Sequence, residues 1–174
     1  GGLAVPVFAV LLVEGFLHTK SFRRYLLRML LFALVSEVPF DFAMDGKLLD
    51  WTRQNMLFTL AVGLIMLYGM KTFSASRVVQ VLIAIAAVFW CALMKTQFGL
   101  CMILLIAVYY LLRDQKSKLW VGGVISLMYV TGPVSVFLLK RYNGQLGDRP
   151  NKYLFYCLYP LILLILGVIT YVIA

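Results

Sequence analysis

The sequence predicts an all-α fold of the membrane class: a polytopic bundle of about seven transmembrane helices, forming one integral membrane domain over residues 1–174. Three observations carry that expectation. The chain is 63% hydrophobic and 13% charged, with mean hydropathy +0.95. A soluble domain is nearer half apolar and a quarter charged, and one this small has too little interior to hide the excess. The apolar residues come in continuous runs rather than in the alternation of a β-barrel strand. The basic residues behind the net charge of +9 sit in short loops between those runs, which matches anionic lipid headgroups and argues against nucleic acid.

The runs follow in order. The first, Leu3–Leu17, is short, and the chain opens Gly-Gly-Leu-Ala without Met, so the expectation is a fragment lacking its native N-terminal helix. The second is Tyr25–Ala43, the third Met56–Met70, the fourth Val78–Met94 and the fifth Phe98–Leu112. The sixth is Leu119–Leu139 and the seventh Tyr153–Ala174. Short connections make neighbours antiparallel. Trp51, Trp90 and Trp120 lie near run ends, where interfacial anchors belong. Lys20, Arg23, Arg24 and Arg28 make the first loop strongly basic, which places it in the cytoplasm. Cys91, Cys101 and Cys157 are dispersed in apolar runs and read as small buried hydrophobes, neither disulfide-forming nor metal-binding.

Ionisable groups in such a chain persist where they meet a polar interior, a partner or a substrate. Glu14, His18, Glu37, Asp41 and Asp50 are such groups within the first fifty residues. Glu14 and His18 are four apart, so the carboxylate can orient the imidazole as a general base. The plainer alternative is an interfacial tether, with Thr19 or Ser21 capping the next helix. Glu37 and Asp41 are also four apart, at the end of the second run and flanking Pro39. They form either a polar pocket for an amine or cation, or a solvated helix end with Glu37 reaching outward. Gln54 and Asn55 open the third run, as helix caps or as amides bonded to the Glu37–Asp41 pair or a substrate. Tyr142 and Asn143 precede Gly144 in a turn and are candidates to line a site. The crowd Tyr153, Phe155, Tyr156 and Tyr159 reads as packing and interface belt. No Gly-rich phosphate loop, HExxH or Gly-x-Ser-x-Gly elbow is present in the sequence.

Taken in order, several blocks resemble the TraX family. They are Val13-Glu14-Gly15-Phe16-Leu17-His18-Thr19, then Ser36-Glu37-Val38-Pro39-Phe40-Asp41, then Gln54-Asn55 with Phe58-Thr59-Leu60, then Tyr142-Asn143-Gly144, and Lys152-Tyr153-Leu154-Phe155-Tyr156 through Tyr159-Pro160. The resemblance implies a multi-pass protein of the bacterial inner membrane. It implies transfer of acetyl from acetyl-CoA, as co-substrate and without a metal, to a pilin N-terminus or another cell-envelope acceptor such as a glycan. Glu14, His18, Glu37 and Asp41 are then candidates for the base, and Arg28, Gln54, Asn55, Tyr142 and Asn143 for substrate binding. Gly2, Gln97-Phe98 and Ile162 depart from the expected Arg, Asp-Tyr and His. Two other readings therefore stay open: a catalytically degenerate scaffold or assembly protein, and a small transporter.

Overall fold

The computed structural model describes residues 4–46, 52–112 and 152–173. Among them every regular element is a helix: α1 Ala4–His18, α2 Phe22–Asp45, α3 Met56–Thr72, α4 Arg77–Leu93, α5 Gly99–Leu111 and α6 Lys152–Ile173. These helices fall on the first five apolar runs and the seventh. The sixth run, Trp51, Trp120, Asp50, Tyr142 and Asn143 lie outside the described residues.

Local chemistry sets the boundaries. Ser21 is extended (φ −147°, ψ 102°) and separates α1 from α2, but its side chain makes no capping bond. Gly46 ends α2 with φ 65°, a left-handed conformation that costs a residue without Cβ least. Asn55 and Ser76 cap α3 and α4, accepting from the amides of Leu57 and Val79. Pro39 lies within α2 and removes one amide from its ladder.

Helix α3 is the hub. It packs on α1, α2, α4 and α5, while α1 also packs on α5, and α6 lies along α2. The core is the α3–α5 contact, where Leu64, Leu67, Met70, Met102, Ile103, Leu105 and Ile106 are fully buried. The segment before α3 is bonded to the segment before α5. The Gln54 amide donates to the Lys95 carbonyl at 3.3 Å and the Gln97 amide to the Gln54 carbonyl at 2.9 Å. The Thr59 hydroxyl closes the same junction on the Gln97 carbonyl at 2.7 Å.

The outside is apolar at helical spacing. Leu27, Leu31, Leu34, Val35 and Val38 are exposed along α2, as are Val78, Val81, Leu82, Ile85 and Phe89 along α4. Soluble monomers rarely show contiguous patches of this size. Yet among the described residues no helix is long and apolar enough to cross a membrane. Helix α2, at 24 residues, is long enough but carries Arg23, Arg24, Arg28, Glu37, Asp41 and Asp45. Helices α1, α3, α4 and α5 have 15, 17, 17 and 13 residues, below the roughly 20 a full span needs. The described residues thus form an all-helical bundle with an apolar exterior, as expected, and the expected seven spans are not confirmed.

Candidate functional site

The deepest polar group of the bundle lies where α2 meets the start of α3. Glu37 is 4% exposed and Asp41 1%, one turn apart on the same face of α2 and within electrostatic reach of each other. Both face inward because the opposite face of α2 is the exposed apolar stripe. Asn55 is fully buried beside them. Its side-chain amide donates to Glu37 Oε2 at 2.5 Å and to the Ala33 carbonyl at 2.8 Å, and its backbone amide points at the same Oε2 from 3.5 Å. Its Oδ1 accepts from the Leu57 amide at 2.9 Å. Capping and carboxylate binding, which the sequence left as alternatives, are done by one side chain.

Two oxygens of this group are buried and lack a hydrogen-bond partner: Glu37 Oε1 and the Ser36 hydroxyl. Tyr159, on α6, stands close enough to Glu37 and the Met56 backbone to feel both. A buried carboxylate oxygen without a donor costs several times what an ordinary hydrogen bond contributes. The arrangement can therefore accept a proton or a hydrogen bond from an incoming N–H or O–H group.

Glu14 and His18 form a separate pair at the end of α1. His18 Nδ1 donates to the Glu14 carbonyl at 2.9 Å and stands 3.6 Å from Glu14 Oε2, with side chains 55% and 33% exposed. Gly15 abuts the Tyr25 ring at the start of α2. Glu37 is twelve residues further along that helix, about 18 Å at 1.5 Å per residue. The structure thus brings Glu37, Asp41 and Asn55 together and leaves Glu14–His18 near the opposite end of α2. Gln54 is buried in the α3–α5 junction. Arg28 is half-buried with its Nε enclosed and unpartnered, in the N-terminal half of α2. Tyr159 joins the Glu37 group although nothing in the sequence separates it from the neighbouring aromatics. Among the described residues no three His, Cys, Asp or Glu side chains gather as metal ligands.

Beside this group runs a cavity of about 570 Å³. Phe8, Leu11 and Leu12 of α1, Met56, Leu57 and Leu60 of α3, and Tyr159, Ile162, Leu163 and Leu166 of α6 line it. Tyr25, Met29 and Met44 line it along α2, and Gln97 and Phe98 close it from the α5 side.

The comparisons with known proteins agree with the resemblance. The family model described as TraX protein matches residues 1–170. The probable fimbrial assembly protein FimC, serogroup H1, of Dichelobacter nodosus is 26% identical over 191 residues, covering 92% of this chain and 77% of its own. No solved structure matches.

Proposed function

The chain belongs to the TraX family, and from that premise we propose that it is a pilus-related, membrane-embedded acyltransferase that moves acetyl from acetyl-CoA to a pilin N-terminus or another envelope acceptor. Membrane embedding is supported by the apolar stripes exposed on α2 and α4, which lipid covers at no cost in water structure.

One observation carries the catalytic assignment: Glu37 is buried, fixed through Oε2 by Asn55, and left with an unpartnered Oε1. Acetyl transfer to an amine or hydroxyl needs a base that takes a proton from the acceptor as its nitrogen or oxygen attacks the thioester carbonyl; the C–S bond then breaks, and the proton passes to the departing thiolate to give free coenzyme A. Glu37 Oε1 is that base. Asp41, one turn on, adds negative charge that attracts a protonated amine to the same place. Asn55 and the capped start of α3 hold the carboxylate in one orientation. Acetyl-CoA supplies the activated acyl group, and its phosphates match the basic residues Lys20, Arg23, Arg24 and Arg28 at the start of α2.

A second reading, a non-catalytic assembly protein, is favoured by one feature. Gln97, Phe98 and Ile162, where Asp, Tyr and His are expected from the resemblance, all line the apolar cavity and supply no acid or imidazole there. Mass spectrometry of pilin and envelope glycans separates the two, in cells with the gene, without it, and with Glu37→Gln in the full-length protein. The enzyme reading expects the mass of one acetyl group on an acceptor only with the intact gene, lost in Glu37→Gln. Identical spectra in all three strains leave the assembly reading.

A further inference from the structure

Asn55 faces Glu37 with two groups, its side-chain amide and its backbone N–H. That N–H belongs to the planar, trans Gln54–Asn55 peptide, whose carbonyl points the opposite way. The carbonyl accepts from the Gln97 amide at 2.9 Å. One flat peptide is therefore held between Gln97 on one edge and Glu37 Oε2 on the other. Turning it away from Gln97 swings the N–H off the carboxylate. The same turn moves the stem from which the Asn55 side chain leaves the backbone. The two bonds also reinforce each other, because a donor on the carbonyl polarises the amide and strengthens its N–H.

Gln97 is itself fixed. Its carbonyl accepts from the Thr59 hydroxyl at 2.7 Å, and Thr59 is fully buried one turn along α3 from Asn55. Gln54 and Thr96 pair as an isolated parallel bridge across the same junction, with the Gln54 amide on the Lys95 carbonyl. The turn that carries Gln97 does not suit its residues. Lys95 (φ 49°) and Phe98 (φ 59°) flank it in the left-handed region, which their side chains disfavour. Such a turn persists where its surroundings over-determine it, and bonds from Gln54 and Thr59 do so here. The Thr59 hydroxyl takes no part in capping α3, which Asn55 does.

We infer that Thr59 is a positioning residue for Glu37: its hydroxyl holds Gln97, Gln97 holds the Gln54–Asn55 peptide, and that peptide with its Asn55 side chain aims the carboxylate. This role rests on the reading of Glu37 as the base of acetyl transfer. It makes the approach to α5 part of the site, although no side chain from it touches the carboxylate.

The test uses the full-length protein in nanodiscs. Thr59→Val keeps the shape of the side chain and removes its hydroxyl. It should lower kcat for transfer from acetyl-CoA to an acceptor peptide about 10- to 100-fold, with KM for acetyl-CoA within about twofold of the parent. Thr59→Ser keeps the donor and should hold kcat within about threefold of the parent. Thr72→Val removes a hydroxyl bonded to the Tyr68 carbonyl at the far end of α3 and should leave kcat unchanged. Two further readouts do not need acetyl transfer. Dicyclohexylcarbodiimide, an apolar reagent for buried carboxyls, should label Glu37 faster in Thr59→Val than in the parent or Thr59→Ser, as mapped by peptide mass. In the parent itself, the Gln97 amide should exchange its hydrogen as slowly as amides within α3, which decides the matter even if Thr59→Val does not fold. Four outcomes overturn the inference: kcat and labelling both unchanged in folded Thr59→Val, equal losses in the valine and serine variants, a loss carried by KM alone, or rapid exchange at Gln97. A parent that transfers no acetyl removes the enzyme reading instead, and labelling of Glu37 then judges the positioning by Thr59 alone.

Discussion

The side-chain amide of Asn55 donates at once to Glu37 Oε2 and to the Ala33 carbonyl, tying the start of α3 to one turn of α2. Because the same side chain caps α3, the bond that orients the carboxylate also fixes where α3 begins. Site geometry and fold are thus coupled through one residue.

Asn55→Ala should be among the most damaging single substitutions in the bundle. It removes a cap worth about 1 kcal/mol and leaves a buried carboxylate without its donor, a further cost of about 1–3 kcal/mol. Asn55→Asp keeps the cap but sets a third carboxylate beside Glu37 and Asp41, so it should be no better tolerated. Asn55→Ala with Glu37→Leu should recover part of the loss, since no charge is then stranded. Denaturant unfolding of the full-length protein in detergent, followed by helical ellipticity, measures all three. Equal stabilities for Asn55→Ala and the double variant would break the coupling.

Glu37→Gln separates chemistry from structure. Glutamine is close in shape, and its carbonyl can still accept from Asn55, so stability should change by no more than about 1 kcal/mol. Acetyl transfer should fall by at least about 100-fold, the lower range for loss of a general base. His18→Gln should keep transfer within about threefold, because that side chain is half in solvent and near the far end of α2. In vitro transfer to an acceptor peptide with each variant decides between them. A collapse in His18→Gln with Glu37→Gln unaffected would move the base to α1.

The helices and the cap of α3 were legible in the sequence because they are local. Continuous apolar runs and Asn55 before Met56 each declare themselves within a few residues. The inward turn of Glu37 and Asp41 was half legible: four-residue spacing puts them on one face, but nothing local says which way that face points. The separation of Glu14–His18 from Glu37–Asp41 was not legible. Both pairs have the same internal spacing, and only the unbroken length of α2 carries them apart. Tyr159 and the cavity are products of α6 packing along α2, a long-range contact with no trace in neighbouring residues. The count of spans is not settled by hydropathy, because α2 is long but charged and α1 and α5 are short.

Gly46 and Gly99 should respond differently to alanine. At Gly46 a Cβ meets nothing within 4 Å, so Gly46→Ala should cost only the left-handed backbone, about 1 kcal/mol. At Gly99 a Cβ would stand 2.8 Å from the Cys91 Cβ and 2.9 Å from the Thr96 hydroxyl. Neither atom is the far end of a flexible chain. Gly99→Ala should therefore push α5 away from α4 and cost about 1–3 kcal/mol. Gly99→Ala with Cys91→Gly should restore much of it. Thermal unfolding of the three variants in one detergent checks the order, and parity of the two single substitutions would contradict the close approach of α5 to α4 at Gly99.

Gly167 gives the sharpest test of how α6 is held. Its missing side chain lets the Phe42 ring of α2 sit against it: a Cβ would meet the ring at 2.5 Å and the Ala43 backbone at 3.3 Å. The same stretch sets the Tyr171 ring at a tilt against Phe42, with centroids 6.2 Å apart. A ring confined between two helices cannot retreat towards Ala43, so Gly167→Leu should lift α6 off α2 rather than be absorbed. Lifting α6 opens the cavity through Leu163 and Leu166 and removes Tyr159 from Glu37. Cysteines at Phe42 and Gly167 in the full-length protein should crosslink readily with a short bifunctional reagent. In Gly167→Leu, a cysteine pair at Glu37 and Tyr159 should lose most of its crosslinking relative to the parent. Phe42→Ala in the same background should restore it by making room for the leucine. If Gly167→Leu crosslinks as well as the parent, α6 is not seated on α2 through this contact.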